Sequence, residues 1–171
     1  MTYVVPTREL VWQALFDVIA AATVLDETGA AVPAFAKTSR RLQLMPDNTA
    51  QVPFDQPAMF LVEGDEETQW KGNRGQPLLR TWRGMIWVFA KVPDGVRPGS
   101  PDFVTPGATV INVLIDAIEA AMGPDDVGLN LLTLGGLVSR VEIGGTTIKV
   151  PGDLNPEGQC FAAIPINIVV P

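Results

Sequence analysis

The apolar positions of this chain fall into two kinds of rhythm. From Thr7 onward, Leu10, Val11, Ala14, Leu15, Val18, Ile19 and Ala22 recur every three or four residues, with Glu9, Gln13 and Asp17 between them. That spacing predicts an amphipathic helix that opens near Pro6 and Thr7 and fades near Leu25. Val110, Val113, Leu114, Ala117, Ile118 and Ala121 repeat the rhythm, opposite Asn112, Asp116 and Glu119, and predict a second helix from Pro106 to Met122. Gly123 and Pro124 stop it.

Elsewhere the period is two. "LLRTWRGMIWVFAKV", 78–92, puts Trp82, Ile86, Val88 and Ala90 on one face and Arg83, Met85, Trp87 and Phe89 on the other. Gly84 within it suggests a bulge or bend. The last stretch, 159–170, alternates Cys160, Ala162, Ile164, Ile166, Ile168 and Val170 on one side, a strand that should pair inside a sheet. "AMFLVEG", 58–64, is a compact apolar strand, and a weaker, Thr/Ser/Arg-rich strand is expected over 35–44. "LVSRVEIGGTTIKV", 137–150, reads as a hairpin turning at Gly144–Gly145. The segments 64–77 and 93–107 read as a polar loop and a Pro/Gly linker.

The expected order is α, β, β, β, α, β, β, β. Two helices are too few to cover both faces of a parallel sheet. The prediction is therefore an α+β fold: a mixed, mainly antiparallel sheet of about five to six strands with two helices packed on one face. The 171 residues form one domain, 1–171, because neither flank of the linker could bury a core alone.

Charge narrows the functional classes. The chain has 12 Lys and Arg against 19 Asp and Glu, a net charge of −7, and only 18% of its residues are charged. A sequence-reading nucleic-acid binder needs a cationic footprint that this balance lacks. An acidic wall suits a passage that DNA slides past. The low share of charge suggests a surface partly covered by partners.

The sequence holds no histidine and one cysteine, Cys160, so a zinc site or a histidine-based triad cannot be assembled from it, nor an internal disulfide. Phosphate-binding glycine motifs are missing as well. No catalytic residue, metal or cofactor is therefore expected. The start lacks the pattern of a signal peptide, and no stretch reads as a membrane span, so a cytoplasmic, soluble chain with no membrane partner is expected.

Two polar groups stand out as candidate contact residues. Lys37, Arg40 and Arg41 form a basic cluster on the strand 35–44. Asp65, Glu66 and Glu67 open the polar loop, which continues to Lys71 and Arg74. A basic strand and an acidic loop on the same subunit are possible complements between neighbouring copies.

The segments "RELVWQALFDVIAAA", "FAKTSRRLQL", "QPAMFLVEGDEE", "LRTWRGMIWVFAKV", "NVLIDAIEAAM", "LTLGGLVSRVEIGG" and "GQCFAAIPINIVVP", in this order, resemble the small tail-completion proteins of long-tailed bacteriophages, among them the tail terminators. The resemblance spans nearly the whole chain and is carried by apolar patterns and turn residues. It implies a structural virion protein, assembled in the host cytoplasm and placed in the tail or neck. Such a protein forms a hexameric ring at the head-proximal end of the tail tube, stops tube growth and presents a surface to a head-completion or neck protein, while DNA passes through the lumen. The rival expectations are a head-completion or connector protein on the portal side, and a small ligand-binding or enzymatic α+β domain.

Overall fold

A computed structural model describes residues 7–41, 55–70, 77–91, 106–150 and 159–170. The fold is α+β: the described residues form two helices and a mixed, mostly antiparallel six-stranded sheet, with a separate small hairpin. Helix α1 spans Thr7–Ala20 and α2 spans Pro106–Ala121; strands β3 (Lys37–Arg41), β4 (Ala58–Trp70), β5 (Pro77–Lys91), β6 (Arg140–Ile143), β7 (Ile148–Val150) and β8 (Gln159–Val170) form the sheet. Its order is β3-β4-β5-β8-β6, with β7 also on β8. β3 runs parallel to β4, and the remaining pairs are antiparallel.

The two rhythms of the sequence become one core. α1 buries Val11, Trp12, Leu15 and Ile19, and α2 buries Ile111, Leu114 and Ile118. They meet Met59, Leu61, Trp82, Ile86, Val88 and the even-numbered residues Cys160 to Val170, which alternation aims at the helices. Both helices therefore cover the same face of the sheet. β8 pairs along its whole described length with β5, from Arg80↔Val170 to Lys91↔Gln159, so the two most strongly alternating strands form the centre.

Four expectations needed correction. α1 ends at Ala20, and the residues after it form a small hairpin, β1 (Thr23–Leu25) with β2 (Ala31–Pro33). Its turn is tied by Asp26, whose carboxylate accepts hydrogen bonds from the Thr28 and Ala30 N–H groups. The residues 64–70, expected as a loop, continue β4 and pair with β5 from Glu66↔Trp82 to Trp70↔Pro77. The strand is hydrophilic because Gly64–Gln69 is exposed, so it lacks the alternation by which strands are recognised.

Residues 137–150 do not form a hairpin. β6 and β7 follow one another along the same edge of β8, β6 opposite 166–169 and β7 opposite 161–163. Between Ile143↔Ile166 and Ile148↔Ala163 the chain advances five residues against three on β8, so "GGTT" is a bulge within one interrupted strand. Gly145 takes φ +90°, and a side chain at Gly144 would collide with the Asn167 amide, 2.0 Å from its Cβ.

Gly84 does not create a bulge in β5. The register slips on the facing strand, between Glu63 and Glu66 of β4. Gly84 instead makes room for α1: a Cβ there would lie 2.9 Å from Cη2 of Trp12 and 3.1 Å from the Val62 carbonyl oxygen. Gly84→Ala is expected to lower stability by about 1–2 kcal/mol through overpacking, read as a lower denaturant midpoint at unchanged slope. A midpoint equal to that of the parent would show that Trp12 yields freely.

Candidate functional site

Polar chemistry concentrates where α1 crosses the β3–β4 side of the sheet. Arg40 pairs in register with Leu61, whose side chain belongs to the helix-covered core, so Arg40 rises between α1 and the sheet. Its guanidinium donates to Glu9 of α1 at 2.5 Å, to the Gln13 amide oxygen at 3.2 Å and to Glu63 of β4. The arginine side chain is 16% exposed and that of Glu63 19%, whereas Glu9 is 53% exposed. The hydrogen bonds from Arg40 hold the Glu9 carboxyl below its ordinary value, and Glu9 in turn raises the guanidinium.

Next to Glu9 in α1, Arg8 grips Glu66 through two bonds of 2.7 and 2.8 Å and lies 5.8 Å from the centre of the Trp82 ring. Trp82 stacks on Trp12 at 6.4 Å. On the other face of the sheet, Arg83 donates to Glu67 at 2.5 Å. Exposed pairs of this kind add little stability singly. The Arg40 cluster is the partly desolvated one, and it ties the edge strand β3 to α1 and β4.

No ion pair among the described residues joins the basic group of candidate contact residues to the acidic one. Arg40, Glu66 and Glu67 each have partners inside the chain. Lys37 is exposed beside Ala58, and Asp65 is exposed in the β4 bulge; neither forms an ion pair among the described residues. Arg41 stands beside Val62 at the end of β3. Lys71 and Arg74 lie outside the described residues. Arg8 and Glu9 escaped notice in the sequence because they read as the ordinary polar side of a helix. Only the long-range packing of α1 on β4 brings them to Glu66 and Arg40.

The second face of the sheet is the other notable surface. Ala58, Phe60 and Phe89 form a small buried cluster there, with Trp87 and Phe161 packed against it. Phe89 and Phe161 are 5.0 Å apart, and Trp87 and Phe161 5.2 Å. The apolar strip continues onto the outermost strand, where Val150 sits beside Phe161 and Ile148 beside Ala163, 37% and 55% exposed. Neither helix packs on this face.

Among the described residues, no group of three or more His, Cys, Asp and Glu is placed to hold a metal ion. Cys160 is buried in the core, where a thiol behaves as a small apolar group. No described helix is long and apolar enough to cross a membrane. Compared with known proteins, the sequence matches no family model and no curated protein.

Proposed function

We propose that this chain is a structural subunit that works by contact: a phage tail terminator, present as a ring of copies at the head-proximal end of the tail tube. In that role it ends tube growth and offers its outer surface to the head-joining protein. The observation that carries the reading is the layering of the fold. A mixed sheet flanked by helices is what the resemblance of the ordered segments implies, and here both described helices lie on one face and leave a second, partly apolar face that neither of them covers. A subunit that must touch neighbours on two different sides has use for two unlike surfaces. The acidic balance of the chain, −7 per copy, suits a lumen through which DNA moves without being held.

Deletion of the gene from its phage, followed by electron microscopy of lysates, tests this. The expected result is tails of abnormal, extended length that lack heads. Particles with tails of ordinary length joined to heads would refute it.

A further inference from the structure

Charge is divided between the two sides of the molecule. The helix side, residues 7–33 and 106–126, contains a single basic residue, Arg8, and eight acidic ones. Asp17 on α1 and Asp116 and Glu119 on α2 are exposed on the outward surface, beside the exposed apolar residues Leu10 and Val113. Lys149 of β7 reaches the same layer, where its ammonium donates to Asn112 at 2.7 Å.

The sheet face that neither described helix covers has the opposite character. The alternation and register place Lys37, Arg83, Lys91 and Arg140 on it, with Glu67 and Glu142. Both carboxylates are already taken, Glu67 by Arg83 and Glu142 by Arg140. Lys37 and Lys91 remain exposed without an ion pair among the described residues, so the described residues of this face are net basic on a chain that is net acidic. Its open part, formed by Trp87, Phe161, Ile148 and Val150, is apolar.

We propose that the occupant of this sheet face is the acidic helix layer of a second copy, with Lys91 facing the carboxylates of α2 and with Ile148 and Val150 against its exposed apolar residues. Charge complementarity selects this partner. Nucleic acid would meet the same lysines, but it would also meet an acidic molecule, and Phe60 and Phe89 are buried rather than available for stacking on bases. The two surfaces differ, so the contact is heterologous and repeats from copy to copy, closing into a ring or running on as a filament. This inference deepens the ring reading and rests on it. The purified chain tests the surfaces, whereas tail length tests the role, so the two can fail separately.

The test is sedimentation velocity on the full chain at low and high salt. The wild type should associate at low salt and loosen as salt screens the contact. Lys91→Glu should be monomeric, and so should Asp116→Lys combined with Glu119→Lys, each with an unchanged circular dichroism spectrum and melt because the altered residues are exposed. An equimolar mixture of these two proteins should associate again, because the original contact and its charge-reversed form then alternate along the assembly. All three changes in one chain should restore assembly. A wild type that stays monomeric at both salts would overturn the proposal, and so would variants that associate like the wild type. Binding of single-stranded DNA in place of self-association would also overturn it.

Discussion

Trp82→Ala is expected to cost about 3–5 kcal/mol, the range for deleting a large aromatic side chain from a packed core. The indole is 2% exposed and lies at the junction of three elements. It stacks on Trp12 of α1, carries the Arg8 guanidinium above its ring and faces Ile168 across β5–β8. In a domain of this size the loss should lower Tm by roughly 10 °C. The pyrrole N–H of Trp82 is buried and makes no hydrogen bond among the described residues. An orphaned donor of that kind costs about 1–3 kcal/mol in the folded state. Trp82→Phe removes the orphan while keeping an aromatic ring, so it should cost far less than alanine. Thermal melts of the two variants check this; equal losses would show that shape alone, and not the unpaired donor, governs the site.

The second large effect is at Arg40. Arg40→Met keeps an apolar stem of similar length but leaves Glu63 partly desolvated with no cation beside it. The expected loss is about 2–3 kcal/mol, below the range for a fully buried pair because water still reaches part of the cluster. Arg40→Met combined with Glu63→Gln should recover much of that loss, since the second change removes the stranded charge. Denaturant midpoints measure both. A single variant within about 0.5 kcal/mol of the parent would class the cluster with ordinary surface pairs.

The same cluster predicts a pH dependence. Glu9 in the folded chain is held below its ordinary value, chiefly by the hydrogen bond from Arg40. The folded state therefore binds its proton less readily than the unfolded state. The contribution is fully present above the ordinary value of 4.5 and is lost as pH falls through the lower, folded value. Asp26 acts in the same direction through the Thr28 hydroxyl. For Asp125, burial works upward, but bonds from the Gly135 and Thr133 N–H groups and the Thr133 hydroxyl outweigh it and leave the carboxyl lowered. Acid should thus destabilise the wild type below about pH 4.5, and Arg40→Met should show a shallower loss there, with the Asp26 and Asp125 parts intact.

The elements that were legible in the sequence are those whose side chains divide cleanly between core and surface. β5 and β8 alternate because one face meets the helices, and α2 shows its stripe because Leu114, Ala117 and Ile118 point inward, although Val113 of that stripe is exposed and Ile111 and Ile115, outside it, are buried. The outer half of β4 hid because it is exposed along its length and its stability comes from pairing with β5, which composition does not reveal. The paired glycines at 144–145 carry the signature of a hairpin turn and equally of a bulge. Only the presence of β8 as a shared partner decides between them. β1 and β2 are three residues each and only half-buried at their centres, too short for any period.

The candidate contact residues show the same limit. Lys37, Arg40 and Arg41 are recognisable as a basic cluster from the sequence, but Arg40 finds its acids 31 and 23 residues away. That pairing turns a candidate interface residue into a brace within the subunit. Charge reversal at Arg40 would therefore report on folding, whereas Lys37 and Lys91 are exposed and carry no ion pair among the described residues.

The central claim is that the chain acts as one of several identical copies at the upper end of a tail tube. A reconstruction of the intact phage particle, resolved well enough to trace this fold, tests it most directly. The account predicts a closed ring of copies stacked on the last layer of tube subunits, with each sheet face against the helices of its neighbour. Density for the fold on the portal side of the junction, or no density for it in the particle, would contradict the account.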